Sequence, residues 1–151
     1  MKLLLVLLVT PVVAFANLGD NESQCGARYG GPIKTEKGSG VGDKMLFFEK
    51  GGLGIGAEFW KGEVACMFYK KTIRTEIMSE PEIEALLEAN RADSYWESAN
   101  IIGEGRRWAR KDSKAIAHFI AKQNLLIIMT DTFALQRMKN KAAAGQPTGG
   151  R

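Results

Sequence analysis

Three apolar runs, residues 45–49, 54–60 and 64–70, follow one another through short links bearing Lys and Gly, and this spacing restricts the chain more than any other feature. Strands joined so closely must be antiparallel, because a parallel crossover needs a dozen or more residues. The links are residues 50–52 and Lys61-Gly62, with glycine where a tight hairpin turn needs it. Within 54–60, Ile55, Ala57 and Phe59 alternate with Gly56, Glu58 and Trp60, the two-residue period of a half-buried strand. Residues 106–110, 115–121 and 125–130 form a second such group, with turns at 111–114 and 122–124.

Helical signals precede each group. Residues 21–30 form a short polar segment closed by Gly30-Gly31-Pro32. Ser79 and Glu82 make a capping-box pattern, with Pro81 in the first turn and Glu80, Glu82 and Glu84 suited to a positive helix end. Ile83, Leu86 and Leu87 then give an apolar stripe at helical spacing, and the pattern stops after Asn90. Thr130 and Asp131 can cap a last helix running to Lys141. The expected fold is α+β, an antiparallel sheet with helices packed on one face.

A constant shift of 61 residues lays the first group on the second without a gap: Lys50 on Lys111, Ile55 on Ile116, Phe59 on Ile120 and Val64 on Leu125. Two tandem helix-plus-three-strand repeats, about 21–70 and 82–130, are one reading. The other is a chance alignment of short hairpin-linked strands.

The first residues bear on location. Lys2, the apolar run from Leu3 to Val9 and the Ala14-Phe15-Ala16 pattern read as a signal peptide over residues 1–16, too short in its apolar core for a membrane anchor. Its removal from 151 residues leaves 135, enough for one domain spanning 17–141. The expected location is periplasmic or extracellular, with no transmembrane anchor after cleavage. Residues 142–151 are small, polar and glycine-rich and read as a disordered basic tail. The net charge of +4 falls to about +3 without Lys2, and part of it sits near this tail, so nucleic-acid binding is not indicated. Export and even parity favour a disulfide between Cys25 and Cys66; the alternative makes Cys66 a small buried strand residue.

The segments Arg28-Tyr29-Gly30-Gly31-Pro32, Leu46-Phe47-Phe48, Ile55-Gly56-Ala57-Glu58-Phe59 and Gly62-Glu63-Val64 resemble exported bacterial modules of the SmpA/OmlA (BamE-like) type and the related tandem modules of beta-lactamase inhibitor proteins. The chain is also similar to exported bacterial proteins with a Tyr-Gly-x-Pro segment and a later Trp. The resemblance implies a sheet with helices on one face that binds other proteins rather than catalysing a reaction. The lipid-bearing cysteine of the outer-membrane members has no counterpart here.

Catalytic chemistry has little to build on. His118 is the single histidine, and alternation puts it with Ile116 and Ile120 on one side of a strand. No metal site and no cofactor is expected. Gly52-Leu53-Gly54-Ile55-Gly56-Ala57 fits a dinucleotide pattern, but it runs into a strand where that fingerprint needs a helix. A small secreted hydrolase using a carboxylate pair or His118 is retained as an alternative. For binding, Glu58, Trp60, Met67 and Tyr69 are expected on an open sheet face, against the alternative that the sheet buries them. Arg106, Arg107 and Arg110, around Trp108, suit an anionic polymer, although alternation divides them between two faces. The leading reading is a protein-binding or interaction module whose partner is another exported or envelope protein.

Overall fold

The structure, a computed structural model, describes residues 17–99 and 105–145. In chain order the elements are α1 (Glu22–Tyr29), β1 (Lys34–Lys37), β2 (Lys44–Lys50), β3 (Leu53–Trp60), β4 (Glu63–Lys71), α2 (Glu80–Ala89), β5 (Trp96–Ala99), β6 (Arg106–Arg110), β7 (Ala115–Ile120), β8 (Leu125–Thr130) and α3 (Asp131–Ala144). The strands form one eight-stranded sheet in the order β1-β2-β3-β4-β8-β7-β6-β5. Every pairing is antiparallel. The α+β class is therefore as the sequence predicts.

Local chemistry accounts for the connections. Gly51-Gly52 and Lys61-Gly62 join their strands with positive φ at both central residues, the backbone hand that matches strand twist. Asn21 and Ser79 each close a capping box at the start of α1 and α2. Such a cap contributes about 1 kcal/mol, whereas each buried Ile or Leu of α2 contributes about 1.5–3 kcal/mol. Packing of Ile83, Leu86 and Leu87 therefore holds α2, and the cap sets where it starts.

The two sheet faces are covered unequally. On the first, α1 and α2 bury Leu46, Phe48, Ile55, Ala57, Phe59, Met67, Tyr69, Leu126 and Ile128 with Cys25 and Tyr29 in the main core. On the second, α3 brings Phe133 against Ala65 and Cys66, flanked by Trp60, Phe68, Ile127 and Met129. Helices thus lie on both faces rather than one. The last helix runs on to Ala144, three residues into the segment read as a disordered tail. Residues 1–16, read as a signal peptide, lie outside the described residues, as does the tail from 146. No helix among the described residues is long and apolar enough to cross a membrane.

Each half contains four strands. The sequence reading omits β1, whose Lys-Thr-Glu-Lys residues are all exposed and lack an apolar alternation, and β5, with its half-buried Trp96. Both are edge strands, and the lysines of β1 suit an edge that must not pair with another chain. The 61-residue shift carries strand onto strand but not face onto face. Ile55 is 1% exposed in the main core, while its counterpart Ile116 is 37% exposed on the opposite face. A one-residue slip inverts a strand's faces, so the gapless repeat is not supported.

Cys25 and Cys66 are both free and buried, and they belong to cores on opposite faces of the sheet. The expected disulfide is not formed, because the sheet stands between the two sulfurs. Burial, then the Asp20 carboxylate, pushes the Cys25 thiol up to about 11. Burial and the neighbouring Glu58 raise Cys66 further. Without reductant, the native protein should resist iodoacetamide, and the denatured protein should gain two adducts by mass. A denatured chain that gains none without reductant contradicts this arrangement.

Lys71 binds Glu82 at 2.7 Å and Glu76 at 3.3 Å. The Lys71 hydrogen bond, followed by the Ser79 backbone, lowers Glu82 to about 2. A carboxyl lowered in the folded state stabilises above its ordinary range and loses that contribution as pH falls toward its folded value. Glu82→Gln should therefore lower the denaturant midpoint at pH 7, with the difference from the parent closing between about pH 4.5 and about pH 2. A pH-independent difference counts against this linkage.

Candidate functional site

The residues expected on an open sheet face do not share one. The pairing register shifts after Glu58: Glu58 faces Cys66 but Phe59 faces Val64, so Ala65 is an extra residue in β4. Ala65 and Cys66 both belong to the second-face core, and the following residues return to the opposite phase. Met67 and Tyr69 thereby enter the main core, each with 0% exposure. Burial raises the Tyr69 hydroxyl well above its ordinary range. Asn90, itself buried, donates to that hydroxyl at 3.4 Å and to the Leu86 carbonyl at 2.9 Å. Tyr69 and Met67 are thus core residues rather than surface contacts.

Trp60 does lie on the second face, but Phe133 of α3 packs edge-on against it at 5.9 Å and Lys61 sits 4.5 Å from its ring centroid. Glu58 is also on that face and is fully buried. Its Oε1 accepts from the Ser39 amide and hydroxyl, both at 2.6 Å, whereas Oε2 has no hydrogen-bond partner among the described residues. The loop between β1 and β2 is folded over this carboxylate. Gly42 makes that possible, since a Cβ there would lie 2.5 Å from Glu58 Cγ and Oε1.

The arginines separate as alternation requires. Arg106 is exposed on the main-core face, ion-paired with Glu80 and 4.8 Å from the Trp108 ring centroid. Arg110 is buried, donating to Asp112 and to the Asn90 carbonyl, both at 2.9 Å. It holds β6 to the end of α2. Arg107 alone points to the second face, paired across the strands with His118.

Beside α3, Arg107 and His118 enter a groove of ≈ 690 Å³. Its floor includes Ala109, Ile116 and Met129, which stand in one cross-strand row. Its wall is one stripe of α3, Ala134, Arg137, Met138 and Lys141, spaced as successive turns of a helix face. Ser39, Gly40 and Val41 close one side, and Asn140 donates to the Gly40 carbonyl at 3.3 Å. His118 Nε2 is buried and faces Gly105, where an added Cβ would lie 2.7 Å away.

A separate hollow of ≈ 440 Å³ lies on the same face, over β2, β3, β4 and the start of β8. Ile33, Met45, Phe47, Phe68 and Leu125 line it over Gly54 and Gly56, which add no side chain to the floor. Ile33 is exposed, and the other four are half-buried. Among the described residues, no group of three His, Cys, Asp or Glu side chains could hold a metal ion.

No protein-family model matches the chain. No curated protein matches it either. Among solved structures it is similar to an extracellular protein containing an SCP domain from Bacillus anthracis strain Ames, with 11% identity and a TM-score of 0.47. The match covers 81% of this chain and 46% of that one, so this chain spans under half of that protein's length. Likeness at this level identifies neither a family nor a ligand.

The sequence reading missed the groove because its wall belongs to α3, whose docking position is set by Phe133 against Ala65 and Cys66, distant in sequence. The stripe at Ala134, Arg137, Met138 and Lys141 was the available signal. Gly42→Ala tests the loop that borders the groove. The added Cβ should displace Glu58 or the Ser39 loop and destabilise the fold by ~1–3 kcal/mol in denaturant titration, whereas an unchanged midpoint would show that the close approach is not needed.

Proposed function

We propose that this protein is an exported binding module that engages another exported or envelope protein through the second face of its sheet. The observation that carries the reading is the apolar strip of Met45, Phe47, Phe68 and Leu125, left half-exposed on the second face while the opposite face is closed by two helices. Contiguous apolar surface bordered by polar residues is characteristic of interaction sites. The lysines of neighbouring strands supply such a border: Lys34 lies 5.9 Å from the Phe47 ring centroid, and Lys70 lines the hollow. Export is supported by the charged start, apolar run and Ala14-Phe15-Ala16 pattern of residues 1–16. The resemblance to SmpA/OmlA-type and inhibitor-type modules supports protein binding in the same way.

The strip replaces Trp60 and Tyr69 as the surface to test, since truncating the buried Tyr69 would damage the core. Phe47→Lys and Phe68→Lys, combined in the tagged protein, should abolish recovery of a near-stoichiometric companion from cross-linked envelope and medium, with the circular-dichroism spectrum retained. A companion recovered equally by the folded variant removes this surface from consideration; the absence of any companion removes the protein-binding reading.

A further inference from the structure

The groove beside α3 differs from the strip in charge, and charge identifies an occupant. Among the described residues, Arg107, Arg137 and Lys141 line it, no acidic side chain does, and none of the three has a carboxylate ion-pair partner. Elsewhere the basic residues close to the core are neutralised: Arg28 by Asp20, Lys71 by Glu76 and Glu82, and Arg110 by Asp112. The groove therefore combines an apolar floor of Ala109, Ile116 and Met129 with unneutralised cations along its wall and edge. Its volume of ≈ 690 Å³ falls in the range of small-ligand sites, roughly 300–1,000 Å³, rather than resembling a flat protein interface.

We infer that this groove binds a single-chain aliphatic carboxylate, with the chain along Ala109, Ile116, Met129 and Met138 and the carboxylate among Arg107, Arg137 and Lys141. Two requirements select this class. An uncharged apolar ligand would leave three cations without an anion, and a small hydrophilic anion would leave the floor wet. The planar guanidinium forks of Arg107 and Arg137 match a planar carboxylate and can each donate two hydrogen bonds to it. Met138, 68% exposed on the groove wall, has the unbranched, adaptable side chain that packs against flexible alkyl chains. This inference does not depend on the protein-binding reading, because the groove and the strip share no lining residue.

Dodecanoate below its micelle concentration is the probe, with dodecanol and acetate as comparisons, read by calorimetry and by amide shifts of the labelled protein. Dodecanoate should bind at one site, shifting the amides of Ile116, His118, Met129 and Met138, and should bind at least about tenfold more tightly than dodecanol, as loss of charge-assisted hydrogen bonds implies. Arg107→Gln combined with Arg137→Gln should remove that preference, while Phe47→Lys, in the other hollow, should leave it intact. Equal affinity for dodecanol, shifts confined to residues outside the groove, or no binding would each overturn the assignment. Should the double variant fail to fold, Met138→Glu on the exposed wall supplies the test: it must weaken dodecanoate binding at least about tenfold through like-charge repulsion, and unchanged binding overturns the assignment.

Discussion

Pairing of β4 with β8 is the contact on which the rest of the structure depends. It joins residues 66–70 to 125–129 across nearly sixty positions of sequence and turns two four-stranded meanders into one sheet. Both faces of this seam are apolar. Met67, Tyr69, Leu126 and Ile128 lie on the main-core side, with Cys66, Phe68, Ile127 and Met129 on the other. If the halves were separate, each would expose a long apolar strand edge of the kind that promotes aggregation. Because this pairing closes a long loop before it is rewarded, it is also the contact expected to limit the rate of folding.

The extra residue at Ala65 decides what each face can offer. With regular alternation throughout β4, Met67 and Tyr69 would lie on the face opposite Val64; the bulge brings all three into the main core and places Cys66 beside Glu58. A carboxylate and a thiol then share a buried position beneath the Ser39 loop, where only the glycine at 42 leaves enough room. Keeping Glu58 there forgoes a better-packed apolar residue, and Oε2 receives no hydrogen bond from the described residues in return. What the arrangement does provide is a fixed position for the loop that forms one side of the groove.

Much of this fold could be read from the sequence because its instructions are local. Two-residue links with glycine specify hairpins, Ser79 with Glu82 specifies a helix start, and the run from Leu125 to Thr130 specifies a strand, all at the observed places. What was not legible depends on neighbours distant in sequence. Lys34–Lys37 is a strand because β2 pairs with it, not because of its own pattern. The faces of Met67 and Tyr69 turn on one bulged residue, and the separation of Cys25 from Cys66 on which face each core occupies. The same limit applied to the candidate site: the division of the arginines followed from alternation, but the groove required knowledge of where α3 docks.

Docking of α3 is what makes the second face chemically uneven. Only Phe133 and Ala134 of its fourteen residues are buried, so the helix rests on the sheet as a narrow ridge rather than a full layer. A broader helix pair, like α1 and α2 opposite, would have consumed the apolar rows on both sides. The narrow ridge leaves two surfaces instead, one apolar between β2 and β8 and one bordered by the basic stripe of the helix itself. Unequal coverage of a single sheet thus divides the two faces: the face closed by two helices holds the main core, and the face crossed by one keeps apolar surface accessible, as the proposed binding role requires.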